Sequence, residues 1–119
     1  MSRFRLAIVA GVLVIFIAVG AYLIFGSKKP APQNRVFNVT VTDAKSMTPG
    51  EFKVNQNDTV TINMSSNTTG EVHLHGYDIP FDCVAGQVAS HTFKATISGS
   101  FDIEWESTST RLGDLIVNP

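Results

Sequence analysis

The stretch Glu71-Val72-His73-Leu74-His75-Gly76-Tyr77-Asp78 carries two of the chain's three histidines at alternate positions. Alternate side chains of a β-strand leave from the same face, so both imidazoles can approach one metal ion there. Neutral imidazole suits copper, zinc and nickel. The spacing equally describes two half-exposed strand residues or hydrogen-bonded core histidines, and a third or fourth ligand has to come from elsewhere. Little else reads as chemistry. Asp82, Asp102, Glu104 and Asp114 stand at scattered polar positions with no acid–base partner, and no nucleophile motif surrounds any Ser or Thr. Nothing reads as a phosphate loop, so the chain is not expected to be an enzyme.

The elements that must position this pair are strands. Apolar residues alternate through Val36–Thr42 (Phe37, Val39, Val41), Thr59–Met64 (Val60, Ile62, Met64), His91–Ile97 (Phe93, Ala95, Ile97) and Ser100–Trp105 (Phe101, Ile103, Trp105). This is the pattern of half-buried strands. Phe52 and Val54 mark a short additional strand, Glu71 to Tyr77 another, and Leu112 to Val117 closes the chain. Turn residues separate them at Thr48-Pro49-Gly50, Asn55 to Asp58, Ser65 to Gly70, Ala85-Gly86 and Ser98-Gly99. About seven short strands with turns at this spacing predict an all-β, two-sheet sandwich over 36–119.

Ahead of the strands the composition changes. From Leu6 to Phe25 every residue is apolar, Gly or Tyr, a run of about twenty, which is the length needed to span a hydrocarbon core. Residues 1–27 therefore read as an N-terminal membrane anchor formed by a single transmembrane helix. Residues 28–35, with Pro30 and Pro32, read as a short extended linker. A cleaved signal peptide is the rival reading, but cutting near Ala18 or Gly20 leaves Tyr22-Leu23-Ile24-Phe25 at the new terminus. Arg3 and Arg5 face Lys28, Lys29 and Arg35 across the run, so flanking charge does not orient it.

The 119 residues have a net charge of −1, which hides a split. After Val36 only Lys45, Lys53, Lys94 and Arg111 stand against all ten carboxylates, a net −6. Such a domain repels phosphate, so nucleic acid is not an expected partner. Cys83 is the only cysteine, which rules out an internal disulfide and a metal site made of cysteines alone.

Taken in order, Val72-His73-Leu74-His75-Gly76-Tyr77-Asp78, the Ala85-Gly86 turn, His91 to Ile97, Gly99 to Glu104 and the closing Leu112-Gly113-Asp114-Leu115-Ile116-Val117-Asn118-Pro119 resemble the cupredoxin superfamily. In particular they are similar to small membrane-anchored cupredoxin-like domains of bacterial and archaeal envelopes. The resemblance covers roughly residues 36–119. It implies a Greek-key β-sandwich with a copper ion held at one end, and a first histidine ligand before a Gly, which is His75 here. It also implies a periplasmic or extracellular domain, tethered through residues 6–25, that serves a redox or metal-delivery protein partner.

The sequence departs from the family where the remaining ligands would stand. The loop before the last strand reads Glu106-Ser107-Thr108-Ser109-Thr110-Arg111, without the Cys, His and Met of a blue or binuclear copper site. A blue site needs a thiolate beside imidazole, so a non-blue site through His75 and His73 is the expectation. Glu106 can add an oxygen donor for copper(II), zinc or iron, although it also reads as a solvated carboxylate. His91 requires the fold to bring it near His75. Cys83 shares parity with Ile79 and Phe81 and reads as a buried apolar residue rather than a ligand. The alternative is a metal-free module of the same fold, or a subunit of an envelope complex.

Overall fold

The computed structural model describes residues 29–119, and the expected anchor, residues 1–27, lies outside them. Among the described residues no helix is long and apolar enough to cross a membrane. Residues 29–33 have no regular secondary structure, and the strands begin at Asn34.

Nine strands follow: β1 (Asn34–Thr42), β2 (Ser46–Thr48), β3 (Glu51–Asn55), β4 (Thr59–Ser66), β5 (Gly70–Leu74), β6 (Ile79–Cys83), β7 (Val88–Lys94), β8 (Gly99–Trp105) and β9 (Thr110–Asn118). They form a four-stranded sheet in the order β2-β1-β4-β7 and a five-stranded sheet in the order β3-β9-β8-β5-β6. Both sheets are mixed: β1 runs parallel to β4 and β3 parallel to β9, while every other pairing is antiparallel. The domain is all-β.

Alternation decides which side chains meet. Val39, Val41, Val60, Ile62 and Met64 point inward from one sheet, and Phe52, Val72, Leu74, Phe81, Ile103 and Leu115 from the other. All are buried almost completely, and each stabilises the fold by about 1.5–3 kcal/mol relative to an exposed side chain. Trp105 belongs to the same core, as its parity with Phe101 and Ile103 predicts.

Three expectations need correction. The strand anticipated at His91–Ile97 runs from Val88 to Lys94, and Ile97 is exposed. The ladder stops there because the backbone beyond it is engaged elsewhere. Ala95 exchanges hydrogen bonds with Asn57 and Asp58, and both the N–H and the C=O of Ile97 bond to the Tyr77 hydroxyl. β5 ends at Leu74 rather than Tyr77, since residues 75–78 form the turn into β6. β2 and β6 were not anticipated: β2 has three residues, and Pro80 interrupts the reading of β6. Pro80 is tolerated there because β6 is an edge strand.

Candidate metal centre

Val72 and Leu74 turn inward on β5, so His73 and the residues in phase with it emerge on the outer face of the five-stranded sheet. The register against β8 places His73 opposite Glu104, and Val72 opposite Trp105. His75 lies one step beyond β5 in the same phase, and its N–H donates to the Asp102 carbonyl at 2.9 Å, prolonging the pairing. Gly76 then turns the chain at φ +82°, and a side chain there would strike the Phe101 ring. The two imidazoles lie side by side, with ring centroids 4.5 Å apart.

Glu106 arrives from the other side. The connection between β8 and β9 is a single 3-10 turn, Glu106–Thr108, closed by Ser109 in the left-handed region at φ 53°. This brings the Glu106 carboxylate beside β5. One ligand atom from each of His73, His75 and Glu106 falls within 4.8 Å of the others, the one such group of three among the described residues. Glu106 Oε2 is 3.4 Å from His73 Nδ1.

Two carboxylates outside that group touch the rings. Asp78 Oδ1 is 2.7 Å from His73 Nε2, and Glu104 Oε1 is 2.8 Å from His75 Nε2. The first contact is a hydrogen bond. The second is close but poorly directed, and His75 Nε2 has no hydrogen-bond partner. His73 Nδ1 is likewise buried without one. Buried polar atoms are normally satisfied, and two unsatisfied imidazole nitrogens beside a carboxylate fit a cation better than a purely structural role. The charge agrees. Asp78, Glu104 and Glu106 form no ion pair with Lys or Arg among the described residues, while Arg111 is engaged by Asp102 at 3.2 Å and Asp114 at 3.6 Å.

The structure thus brings His73, His75 and Glu106 together and leaves the other two named candidates apart. His91 is on β7, in the other sheet, with its ring edge-on to Phe81 at 5.0 Å. Cys83 is buried at the end of β6, and burial together with the Asp82 charge pushes its thiol pKa up. That favours the neutral thiol over the ligating thiolate. His73 emerges on the outer face of the five-stranded sheet, while His75 stands in the turn after β5 and Glu106 in the connection after β8. Asp78 and Glu104 were not anticipated as neighbours. The outward phase of Glu104 was legible between Ile103 and Trp105, whereas its pairing with β5 was not.

No protein-family model matches the chain, and a search of curated proteins finds no relative. Solved structures do match. A chain of a heme-copper terminal oxidase dimer aligns over 98% of both chains with a TM-score of 0.58 and 15% identity. A copper-binding protein solved in its apo form aligns over 76% of this chain and 92% of its own, with a TM-score of 0.60 and 12% identity. The metal-binding domain of the Cu(I)-exporting P-type ATPase of Streptococcus pneumoniae, solved with Cu(I), aligns over 76% of this chain and 100% of its own, with a TM-score of 0.59 and 10% identity. At these identities the likeness concerns the fold: the chain is a cupredoxin-like β-sandwich.

Proposed function

We propose that this protein is a metal-binding accessory domain whose His73, His75 and Glu106 hold a divalent ion, with copper(II) the first candidate and zinc the second. The observation that carries the reading is the pair of buried, unpartnered nitrogens, His73 Nδ1 and His75 Nε2, beside the Glu106 carboxylate. Two imidazoles and a carboxylate are borderline-to-hard donors, which favour copper(II) and zinc over copper(I). The three surrounding carboxylates supply negative charge that a dication offsets. Copper association in the fold neighbours supports the choice of metal. With no thiolate in the set, the copper(II) form is a non-blue, type 2 centre. Its role is storage, delivery or electron transfer to a protein partner rather than catalysis. The apolar run at 6–25 tethers the domain to a membrane, on its periplasmic or extracellular side.

The test is titration of the full-length chain with copper(II), copper(I) and zinc, beside His73→Ala, His75→Ala and Glu106→Gln. Micromolar or tighter copper(II) binding that each histidine substitution weakens at least tenfold is the expected result. Binding indifferent to both histidines would remove the assignment. Absence of binding would favour the metal-free interaction module, a reading supported by the short Glu106–Ser109 connection, which has none of the family's loop ligands.

A further inference from the structure

We propose that Asp78 is a positioning residue that holds the His73 proton on Nε2 and so makes Nδ1 the coordinating atom, paired with Nε2 of His75. This rests on the metal-binding reading and specifies how that site works. A carboxylate only accepts, so the 2.7 Å contact between Asp78 Oδ1 and His73 Nε2 requires the ring nitrogen to donate. In the neutral imidazole the lone pair then sits on Nδ1. That atom is buried, lacks a partner and lies 3.4 Å from Glu106 Oε2. One carboxylate therefore orients the ring from behind while the other stands on its coordinating side, the relation by which carboxylates outside a metal's ligand set fix histidine ligands.

The turn that carries Asp78 is held in place. Asp78 has φ 54°, a left-handed conformation that Asp and Asn tolerate better than most residues. Its neighbour Tyr77 donates to the Ile97 carbonyl at 2.6 Å and accepts from the Ile97 N–H at 3.1 Å. The Tyr77 ring packs between Phe93 and Phe101, with centroids 5.2 Å and 5.0 Å away. The Asp78 side chain is 92% exposed, so water competes for it. Its effect belongs at the lower end of the 10–100-fold range such partners contribute to affinity.

Two substitutions separate the hydrogen bond from the backbone. Asp78→Asn keeps an acceptor oxygen and the tolerance for positive φ. Asp78→Gly keeps the conformation and removes the acceptor. The full-length chain, labelled with 15N in histidine, is followed by NMR without metal and with zinc. The expected wild-type result is a His73 proton on Nε2 in both states, with zinc shifting the Nδ1 resonance. Zinc affinity should fall about tenfold in Asp78→Gly and stay within about threefold of wild type in Asp78→Asn. Zinc on Nε2 of His73, or an unchanged affinity in Asp78→Gly, would overturn this inference and leave the metal site standing. Failure of the wild-type chain to bind zinc or copper(II) would overturn both.

Discussion

His73 and His75 owe their common direction to strand alternation, and that much is legible from two histidines separated by one leucine. Their surroundings are not. Glu106 reaches them through the β5–β8 register and a single 3-10 turn, and Asp78 through a turn whose Gly76 has positive φ. Neither relation follows from spacing, because each depends on which strands become neighbours. Cys83 shows the reverse case: its parity with Phe81 identified it as core. The raised thiol pKa that burial and Asp82 give it leads to a residue-scale prediction. In the native state at neutral pH, Cys83 should react with iodoacetamide at least 100-fold more slowly than a free thiol, and denaturant should restore the rate. Rapid labelling of the native chain would contradict its placement.

At the scale of elements, Asp58 does most to join separate segments. Its buried carboxylate accepts from the N–H groups of Gln33 at 2.8 Å and Asn55 at 2.9 Å, and Arg35 Nε lies at 3.3 Å. Its own carbonyl accepts from Ala95 N–H at 2.8 Å. One residue thus ties the start of β1, the β3–β4 turn and the end of β7. Burial pushes the carboxyl pKa up, but the Gln33 and Asn55 N–H groups and Arg35 outweigh it and hold it below its ordinary value. A depressed folded-state pKa contributes stability that is present above the unfolded value and lost as pH falls through the folded one. Acid unfolding should therefore show a limb that begins as pH falls into the ordinary carboxylate range and ends below it. Asp58→Asn should flatten that limb and cost about 1.5–3 kcal/mol at neutral pH in a denaturant titration. A second element-scale prediction concerns Tyr77, which fastens the 75–78 turn to Ile97. Tyr77→Phe should cost about 1–2 kcal/mol, since it leaves the Ile97 amide and carbonyl without their partner. Stability equal to wild type would show that the turn does not depend on this link.

Over the whole molecule, the two outer faces differ. The four-stranded sheet presents a largely uncharged lattice, with Lys94 at one end, in which Asn38, Asn63 and Ser90 form a hydrogen-bonded row beside the Thr61–Thr92 pair. The five-stranded sheet presents Glu71, Asp82, Asp102, Glu104 and Asp114 around the histidines. The sandwich itself was legible in the period-two pattern, because burying one face of a strand fixes which residues must be apolar. Strand order was not, because it depends on long-range pairing such as β1 with β4 and β3 with β9. A metal bound only by the folded chain should raise the unfolding free energy by about 2.7 kcal/mol at a free concentration of 100 Kd. Zinc or copper(II) should therefore raise the Tm of the wild-type chain and leave that of a His73→Ala, His75→Ala double variant unchanged. The central claim, that His73 and His75 bind one ion together, is tested most directly by electron paramagnetic resonance of the chain loaded with one equivalent of copper(II). The expected spectrum is a type 2 signal with superhyperfine coupling to two nitrogens, no intense blue absorption, and one nitrogen fewer in each single His→Ala variant. A spectrum that neither substitution alters, or a strong thiolate-to-copper band, would contradict it.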